Sequence, residues 1–244
     1  MYLRDYLWFL LALGICLVFS GWASARVHSA YNAFSSMKTR SHMTGYDTAV
    51  RLLRSNQING ISVGRVGGKL SDHYNPQKGI VNLSAATYGD DSVAAVAVAA
   101  HEIGHVIQKQ RGYFPYRLRA ALVPIANIGS YLALPLVLIG LLLDVFVFAT
   151  EGTSTGFYVA LVGVGLYSLS TLFMLVTLPV EFNASKRAKR ALIEEGILTD
   201  EELIGADKVL DAAALTYVAS LAVSLVYFLR FFLMVLTLFG RRRR

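Results

Sequence analysis

Between Arg119 and Lys186 the chain runs 66 consecutive residues without a lysine or an arginine. No other feature constrains the fold as much. A bilayer's hydrocarbon core, about 30 Å thick, needs roughly 20 apolar residues in helix to cross it. The gap holds two such stretches, within 121–148 and 157–180, joined by a turn rich in Gly, Ser and Thr over 149–156. Pro124, Pro135 and Pro179 are compatible with membrane helices where neighbours satisfy the freed carbonyls. Two more apolar stretches lie at about 6–25 and within 212–239, the latter with Arg230 placed to snorkel or to face another helix. Ala23-Ser24-Ala25 resembles a signal-peptide cleavage site, but Arg4 beside Asp5 leaves the n-region nearly neutral and the apolar run is long, so an uncleaved anchor is expected.

Composition agrees. At 55% hydrophobic and only 16% charged residues, the chain is too apolar for an ordinary soluble enzyme or a disordered segment. The net charge of +7 invites a nucleic-acid reading. Its distribution argues against one, because four of the 23 basic residues form the run Arg241-Arg242-Arg243-Arg244 and none falls between Arg119 and Lys186. The single cysteine, Cys16, lies in an apolar run and rules out a disulfide framework or a cysteine zinc cluster. Four spans leave two polar stretches, 26–119 and 181–211, on the same side of the membrane. The first carries 12 basic and 5 acidic residues, whereas Asp144 lies just before the hairpin turn and Glu151 within it, with no basic residue. The positive-inside rule then places the polar stretches in the cytoplasm, although the arginine tail argues for the opposite orientation.

Within the polar stretches, Thr44 with Asp47 reads as a capping box opening a short helix with Ala49, Leu52 and Leu53 on its apolar face. Asn59-Gly60 ends it. Segments 61–66, 69–75 and 80–84, separated by Gly67-Gly68 and by 76–79, predict a small antiparallel meander. From Ser92 a run of Val and Ala leads into a small-residue helix, and Thr199 with Glu202 forms a second capping box.

That helix carries His101-Glu102-Ile103-Gly104-His105. Residues four apart share a helix face, so both imidazoles can reach one ion at about 2.0–2.1 Å. Glu102, one position on, is directed to the side, where it can take a proton from water whose pKa zinc lowers toward about 7. With 5 His and 7 Glu in the chain, this arrangement is expected by chance only about 0.003 times. Two histidines satisfied inside a core are the bland alternative. The reading is one zinc ion, with Glu102 as general base and then proton donor to the leaving amine.

A catalytic zinc takes three protein ligands and keeps a fourth position open. The other histidines, His28, His42 and His73, all precede the motif, which excludes a third histidine downstream. A carboxylate is therefore to be considered. Glu181, directly after the third span, is placed to open a helix because Pro179 restrains the preceding turn. Spacing alone supports equally an interfacial Glu paired with Lys186 and Arg187.

These residues resemble a known family. His101–His105 followed far downstream by Glu-x-x-Ala is similar to the gluzincin membrane peptidases of the HtpX and CAAX prenyl protease type. More closely, the chain resembles the small bacterial membrane zinc metallopeptidases called YugP-like. The matching stretches are Ser71-Asp72-His73-Tyr74-Asn75-Pro76, residues 97–105, Pro179-Val180-Glu181-Phe182-Asn183-Ala184-Ser185 and Ala213-Ala214-Leu215-Thr216-Tyr217-Val218-Ala219. The resemblance implies Glu181 as third ligand. Where the broader pattern reads Glu-x-x-Ala-Asp, this chain has Ser185, so the acceptor that orients a ligand histidine falls to Ser185 or to a group such as Asn183. It also implies that an extended peptide adds to an edge strand, for which Ile80–Ser84 is the candidate. His73 or Tyr74, or alternatively Tyr217, would then donate to the oxyanion.

The expected architecture is a mainly α-helical polytopic membrane protein with about four transmembrane helices and a small zincin-like α+β catalytic part. Its segments are 1–25, an N-terminal transmembrane anchor; 26–119, the catalytic region; 120–180, a transmembrane hairpin; 181–211, the third-ligand helix and linker; and 212–244, a C-terminal transmembrane helix with its basic tail. The implied partners are a peptide or membrane-protein substrate and the lipid bilayer, and no nucleic acid. Three other readings compete. A site-2-type intramembrane protease would use Asp144, but 92–107 is shorter than a span and is flanked by charges, and Val145 stands where that family carries Gly. A di-iron site needs a second Glu-x-x-His, which is missing. A zinc-binding membrane scaffold that cleaves nothing is the non-catalytic alternative.

Overall fold

The computed structural model describes residues 2–146 and 155–240. Four long helices dominate: α1 (Tyr2–Ser35), α5 (Phe114–Phe146), α6 (Thr155–Glu194) and α7 (Asp200–Gly240). Each contains a stretch long and apolar enough to cross a bilayer, and at most 28% of any of those stretches is buried. Exposed Leu, Val and Ile at this density match a lipid-facing surface, where a helix satisfies its own backbone. The hairpin turn over 149–156 falls largely, and the arginine tail wholly, outside the described residues.

The chain divides into two compact units. The first comprises Met1–Ser20, Leu118–Thr177 and Tyr217–Arg244. Here α5 and α6 pack through small residues. A Cβ on Gly129 would stand 2.5 Å from the Leu166 carbonyl, and one on Gly140 only 2.5 Å from that of Gly156. Lipid is as apolar as leucine, so close backbone approach and interhelical hydroxyl contacts drive such packing. Ser130 and Ser170 are 3.0 Å apart, and Thr171 and Ser224 2.9 Å.

The second unit comprises Gly21–Arg117 and Leu178–Thr216. It holds α2 (Gly45–Ser55), β1 (Ser62–Val66), β2 (His73–Asn75), β3 (Ile80–Ser84), the short α3 (Ala85–Tyr88) and α4 (Val93–Gln110). Both expected capping boxes are formed, at Thr44 with Asp47 and at Thr199 with Glu202. The core gathers Leu52, Val81, Leu83, Val96, Ile103, Leu192 and Leu210 around α4. Because residues 93–100 of α4 are all Ala and Val, that half of the helix can be buried on nearly every side.

The sheet corrects the expected meander. Its order is β1-β3-β2, with β1 parallel and β2 antiparallel to β3. Residues 67–72 carry the chain over the C-terminal end of β3 to its other side, using positive φ at Gly68 (96°) and Leu70 (54°). Asp72 secures that crossing by accepting the Ser84 N–H at 2.7 Å. β3 is thus central and paired on both sides, so Ile80–Ser84 is not an edge that a peptide can join; the open edges belong to β1 and β2.

The start of α4 is anchored to the segment after α1. Ser92 caps α4, accepting from the Ala95 N–H, and Met37 accepts from the Val93 N–H. Lys38 spans Asp90 and Asp91 at 3.1 and 2.7 Å. Hydrogen bonds from Lys38 and His42 hold the Asp91 carboxyl below its usual range, while Asp91 raises the Lys38 ammonium. A carboxyl depressed on folding stabilises above its unfolded pKa, about 3.9, and loses that contribution as pH falls through the lower folded value. A Lys38→Met variant is therefore expected to be slightly less stable than wild type at neutral pH. The difference should begin to shrink below about pH 3.9 and vanish only once pH falls below the lower folded Asp91 value, as read by thermal unfolding across pH.

Candidate metal centre

His101 and His105 lie one turn apart on α4, their rings 4.8 Å apart and nearly perpendicular. Glu181 comes from α6. It does not open a helix as expected: Pro179 sits inside α6, which runs on unbroken to Glu194. Proline removes one N–H and one helical bond without ending the helix. The apolar stretch of α6 ends at Val180, and Glu181 stands beyond it. Its Oε2 lies 3.2 Å from His101 Nε2 and 3.4 Å from His105 Nε2.

What brings the carboxylate into reach is a glycine. Gly104 faces the backbone of Ala184, and a Cβ there would sit 2.5 Å from the Ala184 carbonyl oxygen. With Ala184 and Ala188 both buried, the two helices meet backbone to backbone. Glu181 itself is only 1% exposed. Burial opposes its ionisation, but the two imidazoles outweigh that and hold the carboxyl well below its ordinary range.

The donor set fits zinc. One ligand atom from each of the three residues falls within 4.8 Å of the others. Tetrahedral coordination with ligand distances of about 2.0–2.1 Å implies ligand–ligand separations near 3.3–3.4 Å, which the nitrogen–oxygen distances match. Two imidazoles and a carboxylate are the donors of an open catalytic site, and the fourth position remains for water or substrate. Glu102, buried at 8% exposure, makes no hydrogen bond or ion pair among the described residues.

Around the ligands, the structure brings Ser185 to His101, Oγ to Nδ1, at 3.2 Å. Asn183 reaches neither histidine. It accepts from Arg187 Nε at 2.7 Å and from Gln108 Nε2 at 3.1 Å, and it is Gln108 that meets His105 Nδ1, at 3.0 Å. Gln108 is not among the residues that the sequence singles out. The available signal was its spacing, three residues after His105 and so on the same helix face. His73 spends its ring nitrogens within the sheet, on the Ser71 carbonyl and the Asn82 amide. Tyr74 points the other way, into the core, with its hydroxyl buried and unpartnered among the described residues. Tyr217 belongs to the first unit, and the Asp144 side chain lies outside the described residues.

A family profile described as "Putative neutral zinc metallopeptidase" matches residues 8–236. The chain belongs to that family. Among curated relatives of this zinc metallopeptidase family, the "Putative membrane protease YugP" of Bacillus subtilis (strain 168) is 40% identical over 227 residues, covering 92% of this chain and 93% of the relative. No solved structure matches. The four apolar helices and that relative support a multi-pass membrane protein.

Proposed function

We propose that the protein is a zinc-dependent metalloendopeptidase anchored in the cell membrane, binding one zinc ion through His101, His105 and Glu181. The observation that carries this reading is the convergence of those three side chains from α4 and α6 beside a buried Glu102. A zinc ion held there supplies Lewis acidity, lowering the pKa of water toward about 7 and polarising the peptide carbonyl. The chain's own residues do the rest. Glu102 takes a proton from the attacking water as its oxygen bonds to the carbonyl carbon, then delivers that proton to the amine as the C–N bond breaks. Ser185 and Gln108 hold the imidazoles in orientation. An extended peptide or membrane-protein segment adds to an open sheet edge, β1 or β2. The excess of basic residues over 26–119 favours a cytoplasmic-facing site.

Metal analysis of the detergent-purified full chain tests this. Wild type is expected to carry one equivalent of zinc and to cleave an unfolded protein substrate, and chelation should abolish cleavage until zinc is restored. Glu181→Ala is expected to lose both the metal and the activity. Full zinc retention in Glu181→Ala, with loss in Asp144→Ala, would overturn the ligand assignment. Metal-loaded wild type that cleaves nothing would favour the scaffold.

A further inference from the structure

The geometry points to Gln108 as the residue that fixes the proton position on His105, held in turn by Asn183 and Arg187. The assignment rests on the metal-centre reading above and follows from an inventory of donors and acceptors. Arginine can only donate, so Arg187 Nε, 2.7 Å from Asn183, turns the Asn183 oxygen inward. That oxygen also accepts from Gln108 Nε2 at 3.1 Å. The Val180 carbonyl can only accept, and it too lies on Gln108 Nε2, at 2.7 Å. Both contacts fix the Gln108 amide nitrogen, which leaves Oε1 facing His105 Nδ1 at 3.0 Å. An acceptor there requires a proton on Nδ1. Nε2, the other ring nitrogen, is then the atom left to face Glu181 and a metal ion.

Three further observations support a positioning role. Gln108 is fully buried, and a buried amide is costly unless its hydrogen bonds are used. Tyr113 donates its N–H to the Gln108 carbonyl at 2.9 Å, and its ring lies 5.7 Å from the Arg187 guanidinium, so the far end of the chain of contacts is braced as well. His101 offers a contrast, because the Ser185 hydroxyl beside its Nδ1 can donate or accept and does not by itself dictate a tautomer. One ligand is thus locked by a buried amide network and the other is held by a rotatable hydroxyl.

The test uses the detergent-purified full chain with Gln108→Met, Asn183→Leu and Asn183→Asp. Zinc affinity is measured by chelator competition, and the His105 tautomer by long-range 15N–1H NMR of the metal-free protein. Gln108→Met is expected to weaken zinc binding about 10–100-fold and to remove the persistent proton on His105 Nδ1. Asn183→Leu should act in the same direction more weakly. Asn183→Asp keeps an acceptor for both Gln108 and Arg187 and should stay close to wild type. Wild-type affinity and tautomer in Gln108→Met would overturn the assignment. If that variant fails to fold, equal damage from Asn183→Leu and Asn183→Asp would overturn it instead. Wild type that takes up no zinc would sink the metal-centre reading, and the tautomer in that same metal-free protein would still decide the role of Gln108.

Discussion

A Glu102→Gln variant is expected to keep its zinc and its fold while peptide cleavage falls by about 10²–10⁴-fold, the range for removing a positioned general base. Glutamine matches the size of glutamate and can be accommodated at the same buried position, but its amide cannot accept the proton of water. Because Glu102 makes no ion pair among the described residues, the substitution leaves no stranded charge behind and the stability cost should be small. Parallel measurement of metal content, thermal unfolding and turnover separates this outcome from a folding defect. Unchanged turnover in metal-loaded Glu102→Gln would remove Glu102 from the mechanism.

The second large effect is expected at a residue with no chemistry of its own. In Gly104→Ala the new methyl would stand 2.5 Å from the Ala184 oxygen, 3.1 Å from its carbonyl carbon and 3.2 Å from its Cα. All three are backbone atoms, so no side chain can swing aside and the helices must separate. Overpacking of this kind costs about 1–3 kcal/mol, more than offsetting the roughly 1 kcal/mol that alanine gains over glycine in a helix. Function should suffer more than stability, since a displacement of about 1 Å in a reacting constellation can cost around 10²-fold. The matched control is Gly165→Ala in α6, where a Cβ meets nothing within 4 Å and stability should be unchanged or slightly raised. Normal zinc affinity in Gly104→Ala would show that the approach of α4 and α6 is not what sets the site.

Much of this was legible in the sequence because it is local. The apolar lengths, the capping boxes at Thr44 and Thr199, and the facing of His101 and His105 depend only on residues within a few positions of one another. The partnership with Glu181 was not, since spacing alone left ligand and interfacial roles balanced. What joins α6 to α4 is the steric gap at Gly104, which says nothing until Ala184 is seen against it. The order of the sheet was hidden for a similar reason. Turn residues mark where strands end, but not that residues 67–72 pass over β3 rather than fold back beside β1. Pro179 was read as a boundary, yet one missing donor does not end a helix of 40 residues. Gln108 shows its role only through partners contributed by another helix.

The meeting of Gly104 with Ala184 has a consequence for how such a chain can vary. Counted along each helix, His101, Gly104, His105 and Gln108 follow the same rhythm of three, one and three as Glu181, Ala184, Ser185 and Ala188. Each helix thus offers a single phased ridge to the other, and a residue adds about 100° of rotation. Inserting or deleting one residue inside either ridge would swing ligand, glycine seat and hydrogen-bonding neighbours out of alignment together, so both segments should tolerate changes of spelling far better than changes of length.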